Sequence, residues 1–223
     1  MEYQIRLLST KKLLESQKQL LLSANFAIEE EDFIKVVNKY FEVETINDFL
    51  IFTSQNAVES VLEHEKITEI KTRKCFCVGE KTRAMLEQND FEVIISSDYA
   101  SELASIICNQ YFKSSFTFFC GNLRRDILPD SMTLAGVVFE EVEVYETVLT
   151  PHKANDNLNG IMFFSPSGVK SFLKVNLIRD EICFCIGNTT AKALRDITKK
   201  VVIANQPTIE STLIKSIEFF NKI

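Results

Sequence analysis

Residues 75–86 read CFCVGEKTRAML, and residues 183–194 read CFCIGNTTAKAL. Each opens on a short apolar run of the kind that fills a strand buried on both faces. A glycine follows, Gly79 or Gly187, and then a helix-forming run with a threonine at the third position after it, Thr82 or Thr190. A parallel strand that turns through glycine into a helix leaves free backbone N–H groups and the positive end of the helix dipole at its carboxyl end. Glycine at that point lets a ligand approach the backbone closely. Taken alone, Gly-x-x-Thr also describes an ordinary helix N-cap. Written twice, it points to a site assembled from two equivalent loops.

The repetition extends well beyond these twelve residues. Displaced by 111 positions, IFTSQNAVESVL (residues 51–62) lies over MFFSPSGVKSFL (residues 162–173), with Phe52/Phe163, Ser54/Ser165, Val58/Val169, Ser60/Ser171 and Leu62/Leu173 in agreement. At the same displacement QIRLLST (residues 4–10) covers SFTFFCG (residues 115–121), and IEEEDFIK (residues 28–35) covers FEEVEVYE (residues 139–146). A three-residue deletion brings Cys75–Leu86 over Cys183–Leu194, and the apolar run at Val93 over that at Val201. The chain reads as a tandem duplication.

Within each half, Val/Ile/Phe-rich runs alternate with helical patterns. The runs at residues 4–8, 49–52, 75–78, 93–95 and 116–120 predict strands, and residues 11–22, 56–63, 82–88 and 101–112 predict helices. Such alternation predicts an α/β fold with two doubly wound parallel-sheet domains. The acidic stretches at residues 29–35 and 140–147 occupy equivalent places and read as crossovers. Residues 1–31 with 148–223 then form one discontinuous domain, residues 35–142 an inserted one, and residues 32–34 and 143–147 link them. A cleft between the domains is the expected site.

Composition narrows the chemistry. A hydrophobic fraction of 46% in 223 residues suffices for a proper core. The start MEYQIRLLST has no apolar stretch behind a basic flank, and no run approaches the ~18 apolar residues of a membrane span, so a cytoplasmic protein without membrane association is expected. A net charge of −6 argues against a nucleic-acid partner. His64 and His152 are the two histidines and form no metal-binding spacing. Of the six cysteines, four stand in Cys-Phe-Cys triplets at 75–77 and 183–185, where strand alternation puts both thiols on one face as small core groups. Neither a metal nor a Ser-His-Asp triad is expected.

The phrase FFCGNLRRDILP (residues 118–129), with EVEVYETV (residues 141–148) downstream, sets these motifs in a specific order. With IFTSQNAVES, CVGEKTRAML, FFSPSGVKSFL, CIGNTTAKAL and NQPTIESTLIKSI, the chain resembles the uroporphyrinogen-III synthase family from about Gln4 to Ile217. The resemblance implies two domains joined by a two-stranded linker. It implies a lyase without cofactor that cyclises hydroxymethylbilane to uroporphyrinogen III, inverting the last ring with loss of water; a monomer is expected. That substrate carries an acetate and a propionate on each pyrrole. Backbone amides at the Ser54, Gly79, Ser165 and Gly187 loops would receive these carboxylates, each helix start contributing ~0.3–1 kcal/mol. Thr82, Ser167, Thr189 and Thr190 add hydroxyls, while Gly121, Asn122, Arg124 and Arg125 belong to the Gly-Asn-Leu-Arg-Arg phrase. Tyr145 falls where the family places a tyrosine, and the resemblance implies that its phenol acts as a hydrogen-bond donor to the departing hydroxyl.

Two positions depart from the family pattern. Asn89-Asp90 replaces the glycine expected after the first Gly-x-x-Thr helix, and RDITKKV (residues 195–201) has none after the second. Asn and Asp tolerate the left-handed conformation, so only the second turn is expected to change. Two other readings share the same pattern: a two-lobed binding protein for an anionic small molecule, and a sugar-phosphate or nucleotide enzyme. The second lacks a Gly-x-Gly-x-x-Gly or Gly-Lys-Ser/Thr loop.

Overall fold

The computed structural model describes residues 4–222. Met1–Tyr3 and Ile223, which the sequence reading assigned to the ends of the discontinuous domain, lie outside the described residues. The chain divides into two compact units, residues 1–35 with 148–223 and residues 36–147. In chain order the first stretch forms β1 (Arg6–Ser9), α1 (Glu15–Ser23), β2 (Ala27–Glu30) and β3 (Ile34–Asn38). The second unit continues with β4 (Phe49–Phe52), α2 (Gln55–Leu62), α3 (Ile67–Ile70), β5 (Lys74–Val78), α4 (Glu80–Gln88) and β6 (Val93–Ser97). It is completed by α5 (Ala100–Gln110), β7 (Ser115–Gly121), α6 (Ile127–Leu134) and β8 (Val138–Leu149). The chain then returns to the first unit through β9 (Gly160–Phe163), α7 (Pro166–Phe172), β10 (Ile182–Cys185), α8 (Asn188–Lys192), β11 (Val201–Ile203) and α9 (Ile209–Phe220).

Among the described residues the first unit carries a five-stranded sheet in the order β11-β10-β9-β1-β2. The second carries six strands in the order β3-β8-β7-β4-β5-β6. Every neighbouring pair from β11 to β2 and from β8 to β6 is parallel. Paired as the repeat pairs them, β2-β1-β9-β10-β11 and β8-β7-β4-β5-β6 follow the same order. The fold is α/β with parallel sheets, as the alternating pattern predicts.

Strand alternation sorts each apolar run between two cores. In the second unit Leu50, Phe52, Cys75, Cys77 and Phe119 meet α2 and α4 through Val58, Val61 and Leu86. Ile51, Phe76, Phe116 and Phe118 face the other way, onto Leu103 and Ile107 of α5 and Leu128 and Met132 of α6. The first unit repeats the division, with Cys183 and Cys185 on one face and Phe184 on the other. The Cys-Phe-Cys triplets are therefore core packing. Burial pushes the Cys183 and Cys185 thiols up to about 12, because an ionised sulfur there would lose its hydration.

Local boundaries follow from competing hydrogen bonds. The helical pattern from Lys11 yields a helix only from Glu15. The N–H groups of Lys12, Leu13 and Leu14 instead donate to Asp32, Glu30 and Gln17 at 2.9, 3.0 and 3.0 Å. After α4, Asp90 adopts φ +63° and Phe91 N–H closes onto Leu86 O at 3.0 Å, the turn its sequence allows without glycine. After α8 there is no such stop. Ala193, Leu194 and Ile197 each donate to the carbonyl three residues earlier, so the short helix unwinds through tighter turns.

Candidate functional site

The parallel registers bring one set of loops to a common edge of the second unit. Phe52 is level with Cys77 of β5 and with Phe119 of β7. Two residues further on, the same alignment sets Ser54, Gly79 and Gly121 side by side at the carboxyl ends of their strands. Tyr145 joins them, because β8 pairs Tyr145 with Gly121. In the first unit Phe163 is level with Cys185, which sets Ser165 beside Gly187 in the same way.

Each strand-to-helix junction is built differently. Ser54 caps α2 by accepting the Asn56 N–H at 3.2 Å. Ser165 caps α7 by accepting the Gly168 N–H at 3.0 Å, and its hydroxyl also lies 2.9 Å from that of Ser167. Gly79 precedes α4 with φ +88°, a conformation that disfavours any other residue. Gly187 precedes α8 with φ −176°, extended backbone that any residue adopts. The two glycines share one feature: among the described residues a Cβ at either would meet nothing within 4 Å.

The threonines divide in the same manner. Thr82 and Thr190 are turned into their own units, with 5% and 2% of their surfaces exposed, whereas Thr189 is exposed. Burial follows from their place one turn into each helix, on the side that packs against the sheet. Sequence spacing alone did not separate the inward threonines from the outward one.

Around Tyr145 the chain is tightly organised. A Cβ built on Gly121 would lie 2.3 Å from Tyr145 Cζ and 2.8 Å from its hydroxyl oxygen, so the phenol ring rests directly on the glycine. The strands shift register between Cys120 and Gly121. Just beyond, Asn122 N–H donates to Tyr145 O at 3.3 Å, and Asn122 Oδ1 accepts the Thr147 N–H at 2.9 Å. The Tyr145 ring is half-buried against the core of α2 and α4. Among the described residues no group hydrogen-bonds its hydroxyl.

Arg124 stands in the turn after Gly121, and its guanidinium pairs with Glu141 of β8 and with Asp126. Its charge is thereby matched within the unit, a pairing that the Gly-Asn-Leu-Arg-Arg phrase did not reveal because Glu141 lies on another strand. Among the described residues no three His, Cys, Asp or Glu side chains converge where a metal ion could be held. Nor is any helix among them long and apolar enough to cross a membrane.

Two units, each a parallel-sheet α/β domain with its strand-to-helix loops at the carboxyl ends of the strands, define a class of two-domain α/β proteins. Residues 22–214 match the family described as Uroporphyrinogen-III synthase HemD. The chain belongs to that family, whose members are enzymes of tetrapyrrole biosynthesis. Solved structures agree on the fold. The uroporphyrinogen-III synthetase from Helicobacter pylori superposes with a TM-score of 0.74 at 21% identity, covering 97% of this chain and 100% of that one. A mutant uroporphyrinogen III synthase from the extremely thermophilic bacterium Thermus thermophilus gives 0.70 at 12% identity, covering 98% and 100%.

Proposed function

We propose that this chain cyclises hydroxymethylbilane to uroporphyrinogen III, acting as a cytoplasmic, monomeric lyase that needs no cofactor. The observation that carries the reading is the family match across residues 22–214.

Chemistry begins at the terminal hydroxymethyl group. The pyrrole nitrogen lone pair expels the hydroxyl, the carbon–oxygen bond breaks, and water leaves once the oxygen has gained a proton. Tyr145 is the donor to that oxygen, a role suited to a phenol that has no hydrogen-bond partner among the described residues and lies at a loop-lined sheet edge. The carbon left behind is an electrophile. Attack on it by the substituted carbon of the last ring forms a spiro intermediate. That carbon's bond to its original methylene then breaks, and the methylene joins the unsubstituted carbon of the same ring, which inverts it. The proton this carbon loses balances the one the phenol gave. Unaided cyclisation takes the unsubstituted carbon and yields the type I isomer, so the protein's task is orientation. Amides at the starts of α2 and α4 in one unit, and at the Ser165 and Gly187 loops of the other, meet the substrate carboxylates. Arg124, already paired, contributes less than its charge suggests.

The test is to supply freshly generated hydroxymethylbilane to the purified protein and separate the oxidised products by isomer. Predominantly type III product is expected. Type I product at the spontaneous rate from folded protein would overturn the assignment.

A further inference from the structure

Asn122 was expected at the substrate, yet its hydrogen bonds run to β8. Its backbone N–H donates to Tyr145 O at 3.3 Å, its Oδ1 accepts the Thr147 N–H at 2.9 Å, and its Nδ2 lies 3.5 Å from Thr147 O. A carboxamide offers the same donor and acceptor as a peptide group. The side chain therefore stands in for the next strand residue and carries the pairing past the end of β7 at Gly121.

The register makes that substitution consequential. Cys120 is level with Glu143 and Gly121 with Tyr145, so Val144 is an extra residue on β8. A bulge of this kind re-aims the side chain beside it and locally disrupts the ladder, so contacts on either side of it help to fix the strand. Before the bulge, Arg124 grips Glu141. After it, Asn122 grips Thr147. Tyr145 lies between the two fastenings, its ring on the bare backbone of Gly121.

We infer that Asn122 is a positioning residue for Tyr145: by capping β8 at Thr147 it sets where the phenol stands during cyclisation. The inference rests on the function proposed above for its catalytic part and on hydrogen bonding alone for its structural part. The two parts are tested separately.

Labelling with 3-fluorotyrosine gives five fluorine signals, one for each tyrosine, and Tyr145→Phe assigns the relevant one. Asn122→Ala is expected to shift or broaden the Tyr145 signal and leave the others in place. Asn122→Asp keeps the acceptor for Thr147 N–H and is expected to restore the signal. A Tyr145 signal unmoved in Asn122→Ala overturns the inference whether or not the protein is active. In the isomer assay, Asn122→Ala is expected to lower kcat by about 10-fold, within the range of a displaced proton donor, with KM changed by less than about twofold. It is expected to add nothing in the Tyr145→Phe background. A rise in KM alone would make Asn122 a direct substrate contact and also overturn the inference. Absence of type III product from the unmodified protein would remove the proposed function, and the fluorine spectra would still decide whether Asn122 holds Tyr145.

Discussion

The ring of Tyr145 occupies the volume that a side chain on Gly121 would fill, with Cζ 2.3 Å and Cε2 2.4 Å from the Cβ position. The phenol thus has no room to sit where it does beside any residue other than glycine. The glycine is demanded by this neighbour, since its φ does not fall in the left-handed region.

Gly121→Ala should accordingly act through Tyr145. The atoms in conflict are at the far end of the tyrosine side chain, so the ring moves aside and the strands remain paired. Expected is a fall of about 10-fold or more in type III formation, with a melting-temperature loss of only a few degrees, roughly what a 1 kcal/mol change produces in a chain of this size. Steady-state assay and thermal unfolding of the one variant check both halves.

Tyr145→Phe removes the hydroxyl and keeps the ring on its glycine. A reduction of about 10- to 100-fold is expected, at or below the usual contribution of a general acid, because orientation carries most of the selectivity. The product should remain mostly type III. Complete loss from folded protein would show that the phenol does far more than assist a departing hydroxyl.

Ser60 and Ser171 align when the two halves of the sequence are superposed, and they should respond differently to alanine. Ser60 donates to the Val144 carbonyl, whereas Ser171, fully buried, leaves its hydroxyl without a partner among the described residues. Ser60→Ala is expected to cost about 1 kcal/mol, and Ser171→Ala to be neutral or to stabilise by a similar amount. Urea unfolding of both variants gives the two signs directly.

The buried thiols predict loss of stability in alkali. Burial raises the folded-state values of Cys183 and Cys185 to about 12, above the ~8.5 of a thiol in the unfolded chain. The stabilisation is fully present below the unfolded value and declines as pH rises towards the folded one. Between roughly pH 9 and 11 each such thiol should reduce the unfolding free energy by about 1.4 kcal/mol per pH unit. Denaturant titrations across that range should show the slope, and Cys185→Ala should lessen it by one thiol's share.

Much of the α/β architecture is legible in local sequence. The runs at 49–52 and 75–78 are apolar at every position or nearly so, which only a sheet covered on both faces requires, and both are strands. Ser54 and Ser165 precede helical patterns and cap them. Asp90 replaces a glycine and takes its conformation. The boundaries were less legible, because Lys12 and Leu13 give their N–H groups to Asp32 and Glu30 rather than to a first helical turn.

The candidate site was legible as a set of loops and not as an arrangement. Thr82, Thr189 and Thr190 look alike in sequence, and packing buries two of them. Gly79 and Gly187 look equivalent, and one of the two has a positive φ.

By itself the sequence determined what depends on neighbours along the chain: strand and helix periodicity, helix caps, and the motif order that points to the family. The tertiary structure alone decided what depends on register between strands. One extra residue on β8 places Tyr145 over Gly121 and Asn122 against Thr147, while the regular register before it sets Glu141 where Arg124 reaches it. Propensity and hydrophobic pattern are local averages, insensitive to a single inserted residue, whereas side-chain contacts across a sheet change completely with it.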